Sequence, residues 1–204
     1  MFIELLGASG VKIQSGDAII LLAPASEKSE IRSSRMKADL VVLGNTKDAI
    51  NVEPRAEKLF TVQAPGEFEV GGIFMYCLSN PPTGQPHSLL SRITVEGVTI
   101  AHLGGLAHQL TNNQLELFEG VDVLMIPVGG KDVLDAKAAK DIVEKIEPRV
   151  VIPMHFAQKE LKTAYDDASK FFKEMGASPT AQERVKILKK DLPTDTLDML
   201  YLKP

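Results

Sequence analysis

The chain has 204 residues, with 23 Lys+Arg against 27 Asp+Glu and a net charge of −4. At 44% apolar residues a chain of this length buries roughly 70% of the surface its unfolded form exposes, so neither a metal nor a disulfide is needed to hold a core. A single cysteine, Cys77, excludes an intrachain disulfide and a Cys-rich zinc module, and the absence of a basic block argues against capture of a nucleic-acid backbone.

Phe2 to Leu6, Val11 to Gln14 and Ala18 to Leu22 alternate or run apolar around the turn signal Ser15-Gly16-Asp17, which predicts a meander of three strands. A short helix is expected through Ser29 to Lys37, followed by a buried strand at Ala38 to Leu43 that ends on Gly44-Asn45. Further strands are expected at Leu59 to Gln63 and Phe68 to Leu78, with Gly71-Gly72 marking a bulge or a close backbone approach. Ser79 to His87 reads as an exposed loop, and Glu96-Gly97 between two runs of strand formers as a hairpin turn.

The rhythm then changes. Val121 to Ile126, a helix from Asp135 to Ile146 and Arg149 to Pro153 form a strand, helix, strand unit, with Asp135 as the cap and Pro148 as the stop. A second amphipathic helix is expected to carry Leu161, Tyr165, Ala168, Phe171 or Phe172 and Met175 on its inner face and to end at Gly176, with strands at Val185 to Leu188 and Leu197 to Leu202 closing the chain. No stretch approaches the roughly 20 apolar residues that cross a bilayer, so no membrane role and a cytoplasmic location are expected. The absence of a linker predicts a single α/β domain over residues 1–204.

Polar loops beyond strand ends are where layered α/β domains place chemistry. Here they are Gly44 to Asp48, Gly66-Glu67, His102 to His108, Pro127 to Gly130 and Met154-His155. With the four histidines of the chain, they give the candidate pocket residues Asp48, Glu67, His87, His102, His108 and His155. Each also has a structural reading: Asp48 as a cap, Glu67 as an acceptor in a tight turn, the histidines as loop anchors. Ser9 and Ser88 have no local elbow or neighbouring base, Gly129-Gly130 reads as a tight turn before the helix, and Lys131-Asp132 as its solvated edge.

The segments Leu5-Leu6-Gly7-Ala8-Ser9-Gly10, Ile20-Leu21-Leu22-Ala23-Pro24, Gly66 to Gly72, His102 to His108, Ile126 to Gly130 and Val151 to Phe156 together resemble the metallo-beta-lactamase superfamily, in particular its compact Zn-dependent hydrolases distantly related to sugar-phosphate lactonases. The resemblance implies an α/β fold, a four-layer αββα sandwich. That family holds its metals with a loop patterned His-x-His-x-Asp-His, and a divalent metal needs such convergent imidazoles and carboxylates to be held and to acidify its water. The matching stretch here is Gly44-Asn45-Thr46-Lys47-Asp48-Ala49, so the histidine places are Gly44, Thr46 and Ala49, with Asp48 alone retained. Gly105 takes the place of the family's later carboxylate, Ala23 that of the acidic residue before the proline; His155 matches the last family histidine, and His87 is a weak match to a middle ligand.

The resemblance therefore implies a divergent member without the standard binuclear centre, expected to bind no cofactor and to take a small ligand or a protein partner. The alternative is a hydrolase of a small phosphorylated or cyclic-ester substrate with an altered mononuclear zinc or manganese site, in which Asp48 and His155 hold the metal or position water and His102 or His87 assists. A regulatory homo-oligomer using the late strands or Phe171-Phe172 as its interface is a third reading.

Overall fold

The computed structural model describes residues 1–31, 35–45, 49–80 and 88–204. In chain order the strands are β1 (Phe2–Leu5), β2 (Val11–Ser15), β3 (Ala18–Leu22), β4 (Met36–Ala38), β5 (Leu40–Val42), β6 (Val52–Pro54), β7 (Phe60–Val62), β8 (Gly66–Val70), β9 (Ile73–Asn80), β10 (Ser88–Val95) and β11 (Val98–His102). There follow α1 (Asn112–Phe118), β12 (Val123–Pro127), α2 (Ala136–Ile146), β13 (Val150–Met154), α3 (Ala168–Met175), β14 (Ala181–Gln182), β15 (Arg184–Lys186), a 3-10 turn at Lys189–Asp191, β16 (Asp198–Met199) and β17 (Tyr201–Leu202).

Two sheets carry the fold. The first has the order β15-β1-β2-β3-β5-β7 and the second β16-β13-β12-β11-β10-β9-β8. In each, antiparallel hairpins give way to parallel neighbours: β3, β5 and β7 in the first, β11, β12, β13 and β16 in the second. Residues from both sheets, among them Ile3, Ile13, Ile20, Met75, Ile93 and Ile100, join one continuous buried cluster between them. β12 and β13 are buried along their whole length, as parallel strands covered on both faces must be, and α2 and α3 pack over them. Over the other face of the first sheet, Leu21, Val41 and Leu43 pack beneath Met36, Ile50 and Val52 of the small β4–β6 pair and its flanks. The architecture is the αββα sandwich of the metallo-beta-lactamase type.

Several local expectations change. The helix expected at Ser29 to Lys37 is absent from its described part: Met36 to Ala38 is a strand paired to β6, while Arg32 to Ser34 lie outside the described residues. Gly71-Gly72 is not a bulge but the two-residue turn of the β8–β9 hairpin, with φ of 57° and 77°, the doubly left-handed pair that a type I′ turn needs. α1 was signalled by Thr111-Asn112-Asn113-Gln114: the Thr111 hydroxyl accepts from the Gln114 N–H and the Gln114 side chain accepts from the Thr111 N–H, a complete capping box.

The second amphipathic helix is shorter than its periodicity. It starts only after Asp167, whose side chain accepts from the Ser169 N–H, and Leu161 and Tyr165 lie in the loop before it. Backbone bonds from Asp166 to the Gly129 carbonyl (2.8 Å) and from Ala157 to the Asp166 carbonyl (3.0 Å) hold that loop out of the helix. Phe171 and Phe172 are core residues, Phe172 packing edge-on against Tyr201 at 5.1 Å, and offer no exposed interface.

Candidate functional site

The loops that follow β1, β3, β5, β11, β12 and β13 converge on one end of the sandwich around a cavity of about 760 Å³. Ser9 and Gly10 form one wall, Gly104 and Gly105 a second, Asp132 and His155 a third, and Leu161 and Tyr165 close it from the loop before α3. Among the described residues five non-glycine residues have left-handed backbone. Glu96 and Glu147 do so for a hairpin turn and a helix end, whereas Ala23, Lys131 and His155 line or adjoin this cavity. Such conformations cost of order 1–3 kcal/mol each and persist where surrounding structure imposes them.

For His155 the imposing structure includes its own bond to the loop Gly7 to Gly10, which further hydrogen bonds hold in place. The Gly7 carbonyl accepts from Gln158 Nε2 (3.1 Å), Ala8 from the His155 N–H (2.7 Å), Ser9 from His102 Nε2 (2.8 Å) and Gly10 from the Leu6 N–H (2.7 Å). The Ser9 hydroxyl meets His155 Nδ1 at 2.7 Å. The His155 ring is in turn set edge-on against Tyr165, 4.8 Å between ring centres at 74°. Burial holds the His155 imidazole below its ordinary pKa, partly offset by the nearby Asp132 carboxylate, so the ring is neutral at pH 7. The Tyr165 hydroxyl is pushed up to about 12, by burial and then by Asp132.

His102 is a buried anchor, 2% exposed. Burial pushes its pKa down to about 4 against its hydrogen bond to Ser9. Since the folded value lies below the unfolded value of about 6.5, its contribution to stability is complete above pH 6.5 and lost as pH falls toward 4. Lowering the pH from 7 to 5 is expected to cost on the order of 2 kcal/mol through this group. Urea midpoints across that range should show a shallower loss in His102→Gln than in the parent chain; equal slopes would refute it.

The expected pocket residues part company. His155 lines the cavity and His102 supports its wall. His108 lies outside it, held between the Gln109 carbonyl (2.9 Å) and the Asn80 side chain (2.8 Å). Glu67 is on the edge strand β8 beside Tyr76, away from the cavity. Asp48, His87 and Thr46 lie outside the described residues. Of the other degenerate metal positions, Gly44 and Gly105 line the cavity, whereas Ala49 is exposed and binds the Glu27 N–H through its carbonyl. The sequence pattern assigns Ser9, Asp132 and Tyr165 to other roles, a serine without a neighbouring base, a solvated turn edge and a helix face: 146 residues separate Ser9 from His155, and no local signal links them.

The donor set of the described residues does not fit a metal. Among the described residues no three His, Cys, Asp or Glu side chains come together as ligands. A side chain on Gly44 would begin 2.7 Å from Ala23 Cβ, so the two small residues close the space where a ligand would stand. His102 spends its Nε2 on the Ser9 carbonyl.

Comparison with known proteins agrees with the fold. The profile described as "Beta-lactamase superfamily domain" matches residues 2–155, ending on His155. The chain belongs to the metallo-beta-lactamase superfamily. It is 31% identical over 138 residues to a UPF0173 protein of Pyrococcus furiosus, covering 66% of this chain and 59% of that protein. It is also 31% identical over 150 residues to a UPF0173 metal-dependent hydrolase of Anaeromyxobacter dehalogenans, covering 69% and 54%. The matched region thus spans a little over half the length of these curated relatives. Among solved structures, a metallo-beta-lactamase superfamily protein from Thermotoga maritima superposes with a TM-score of 0.80 at 23% identity over 99% of both chains. Igni18, a metallo hydrolase from Ignicoccus hospitalis, superposes at 0.65 and 13% over 92% of this chain and 99% of its own. This chain is a divergent member in which the described residues hold no metal-binding cluster.

Proposed function

We propose that this member binds a small polar organic molecule in the cavity at the end of the sandwich, without a resident metal. One observation carries the reading: at the end where relatives named metal-dependent hydrolases would do their chemistry, two of the ligand positions, Gly44 and Gly105, are glycines, yet a cavity of about 760 Å³ remains, lined by Ser9, Asp132, His155 and Tyr165. That volume suits a small metabolite, with apolar walls at Leu6, Ile31, Val133 and Leu161 and polar groups grouped on one side. No described helix is long and apolar enough to cross a membrane, and the near-neutral charge favours a small molecule over a nucleic acid. The 204 residues act in this reading as one domain in the cytoplasm.

Gly105 gives the test. A Cβ there would sit 3.9 Å from His155 Cε1 and from Val133 Cγ1, ordinary contact, so a larger side chain enters the cavity without disturbing the backbone. Compounds from a panel of small carboxylates, esters and sugar phosphates that raise the melting temperature of the parent should lose at least tenfold in affinity for Gly105→Leu. Equal shifts in both proteins would place binding elsewhere. Protein purified without a histidine tag should carry well under one equivalent of zinc, manganese or iron by elemental analysis; a full equivalent would overturn the metal-free reading.

A further inference from the structure

We propose that Ser9 and His155 are a nucleophile and its base, and that the cavity hydrolyses a small carboxylic ester through an acyl-Ser9 intermediate. The proposal rests on the cavity being the ligand site.

Four features of the site support it. The Ser9 Oγ to His155 Nδ1 distance of 2.7 Å is the hydrogen bond through which a base takes a hydroxyl proton. The hydroxyl can donate only to the imidazole tautomer whose Nδ1 is bare, which leaves the proton on Nε2. Ser9 is also fixed in place. Its own carbonyl and those of Gly7, Ala8 and Gly10 each accept a hydrogen bond, three of them from residues on β11 or beyond, so the backbone that carries the hydroxyl is held beside the imidazole. With all four carbonyls engaged, the N–H groups of Ala8 and Ser9 have no partner among the described residues, and both residues line the cavity. Free amides beside the nucleophile are what a tetrahedral oxyanion requires. Finally, Asp132 faces the same cavity and stabilises positive charge on the His155 ring, while Tyr165 fixes the ring edge-on. The pair is recognised by geometry and role, since its members are distant in sequence.

The reaction balances with water alone. Ser9 Oγ bonds to the ester carbonyl carbon as its proton passes to His155 Nδ1, and the carbonyl oxygen becomes an oxyanion facing the loop amides. The intermediate collapses, the bond from carbon to the alkoxy oxygen breaks, and His155 returns the proton to the departing alcohol. Water then attacks the acyl-Ser9 carbon, gives a proton to His155, and the carboxylic acid leaves as the proton returns to Ser9 Oγ.

The probes are p-nitrophenyl acetate and a fluorophosphonate, read by intact-protein and peptide mass spectrometry. One adduct is expected on the peptide carrying Ser9, absent in Ser9→Ala, retained in Ser9→Cys with the ester, and slowed by at least about 100-fold in His155→Gln. Melting temperatures of all variants check folding, with Ser9→Ala the least intrusive. An adduct that persists in Ser9→Ala, or a parent protein that takes no adduct, overturns the proposal. If panel compounds still bind the parent and not Gly105→Leu, the cavity reading survives that failure; if they bind neither, both fall.

Discussion

Replacing Gly129 by alanine is expected to destabilise the protein by about 3 kcal/mol or more and to disorganise the cavity with it. A Cβ on Gly129 would lie 2.2 Å from the His155 carbonyl oxygen and 3.0 Å from Tyr165 Cβ and Cδ1. The first neighbour is backbone, and it cannot rotate aside. It is held on one side by the β12–β13 register, continued by the Val128 N–H to the Met154 carbonyl (3.1 Å), and on the other by the His155 N–H to Ala8 (2.7 Å). Relief must therefore come from moving His155 or the loop carrying Tyr165, the groups that line the site. Gly71→Ala is the control: nothing lies within 4 Å of its Cβ, and its cost is only the left-handed φ of 57°, about 1–2 kcal/mol. Urea unfolding of the two variants should separate them clearly. A Gly129→Ala protein as stable as Gly71→Ala would show that the close approach is not required.

Asp122→Ala is expected to cost about 3–5 kcal/mol, in the range seen when one partner of a buried charged network is removed. Asp122 is 3% exposed and sits where β11, β12 and β13 begin. Its carboxylate accepts from the Thr99 N–H (2.8 Å), the Thr99 hydroxyl (3.0 Å) and Lys189 Nζ (2.7 Å), and its backbone carbonyl accepts from Arg149 and Val150. Burial alone would raise its pKa, but the Lys189 and Thr99 hydrogen bonds outweigh it and hold the carboxyl below its usual range. A depressed folded value means that the stabilisation is present above the unfolded value of about 4 and is lost as pH falls through the folded one. Asp122→Asn should therefore be less stable than the parent at pH 7 and flatter in its acid limb. Removal of Lys189, half exposed, should cost much less, because water replaces its charge. A loss below 1 kcal/mol for Asp122→Ala would remove the network from the fold's main supports.

The strands were legible because burial on one or both faces writes itself as alternation or as an apolar run. The hairpin at Glu96-Gly97 and helix α2, with Asp135 at its start and Pro148 beyond its end, follow from local chemistry. Where tertiary contacts compete with local preference, sequence periodicity and fold part company. Leu161 and Tyr165 keep the spacing of a helix face, yet hydrogen bonds from Asp166 to Gly129 and from Ala157 to Asp166 draw them into the cavity wall. Thr111 to Gln114 carry a complete capping box, a local helix signal, just beyond the histidine loop.

The site divides in the same way. The sequence alone determined that the superfamily's metal-binding pattern is depleted, because glycine at 44 and 105 has no side chain to offer a metal in any conformation. It could not say what stands there instead. Gly129 owes its identity to a carbonyl 26 residues away in the chain, and Ser9 its partner to the turn of backbone at His155. Those juxtapositions exist only once β1, β11, β12 and β13 are stacked, since a chain writes its periodicities locally while a nucleophile, its base and the carbonyls that fix them are brought together by packing.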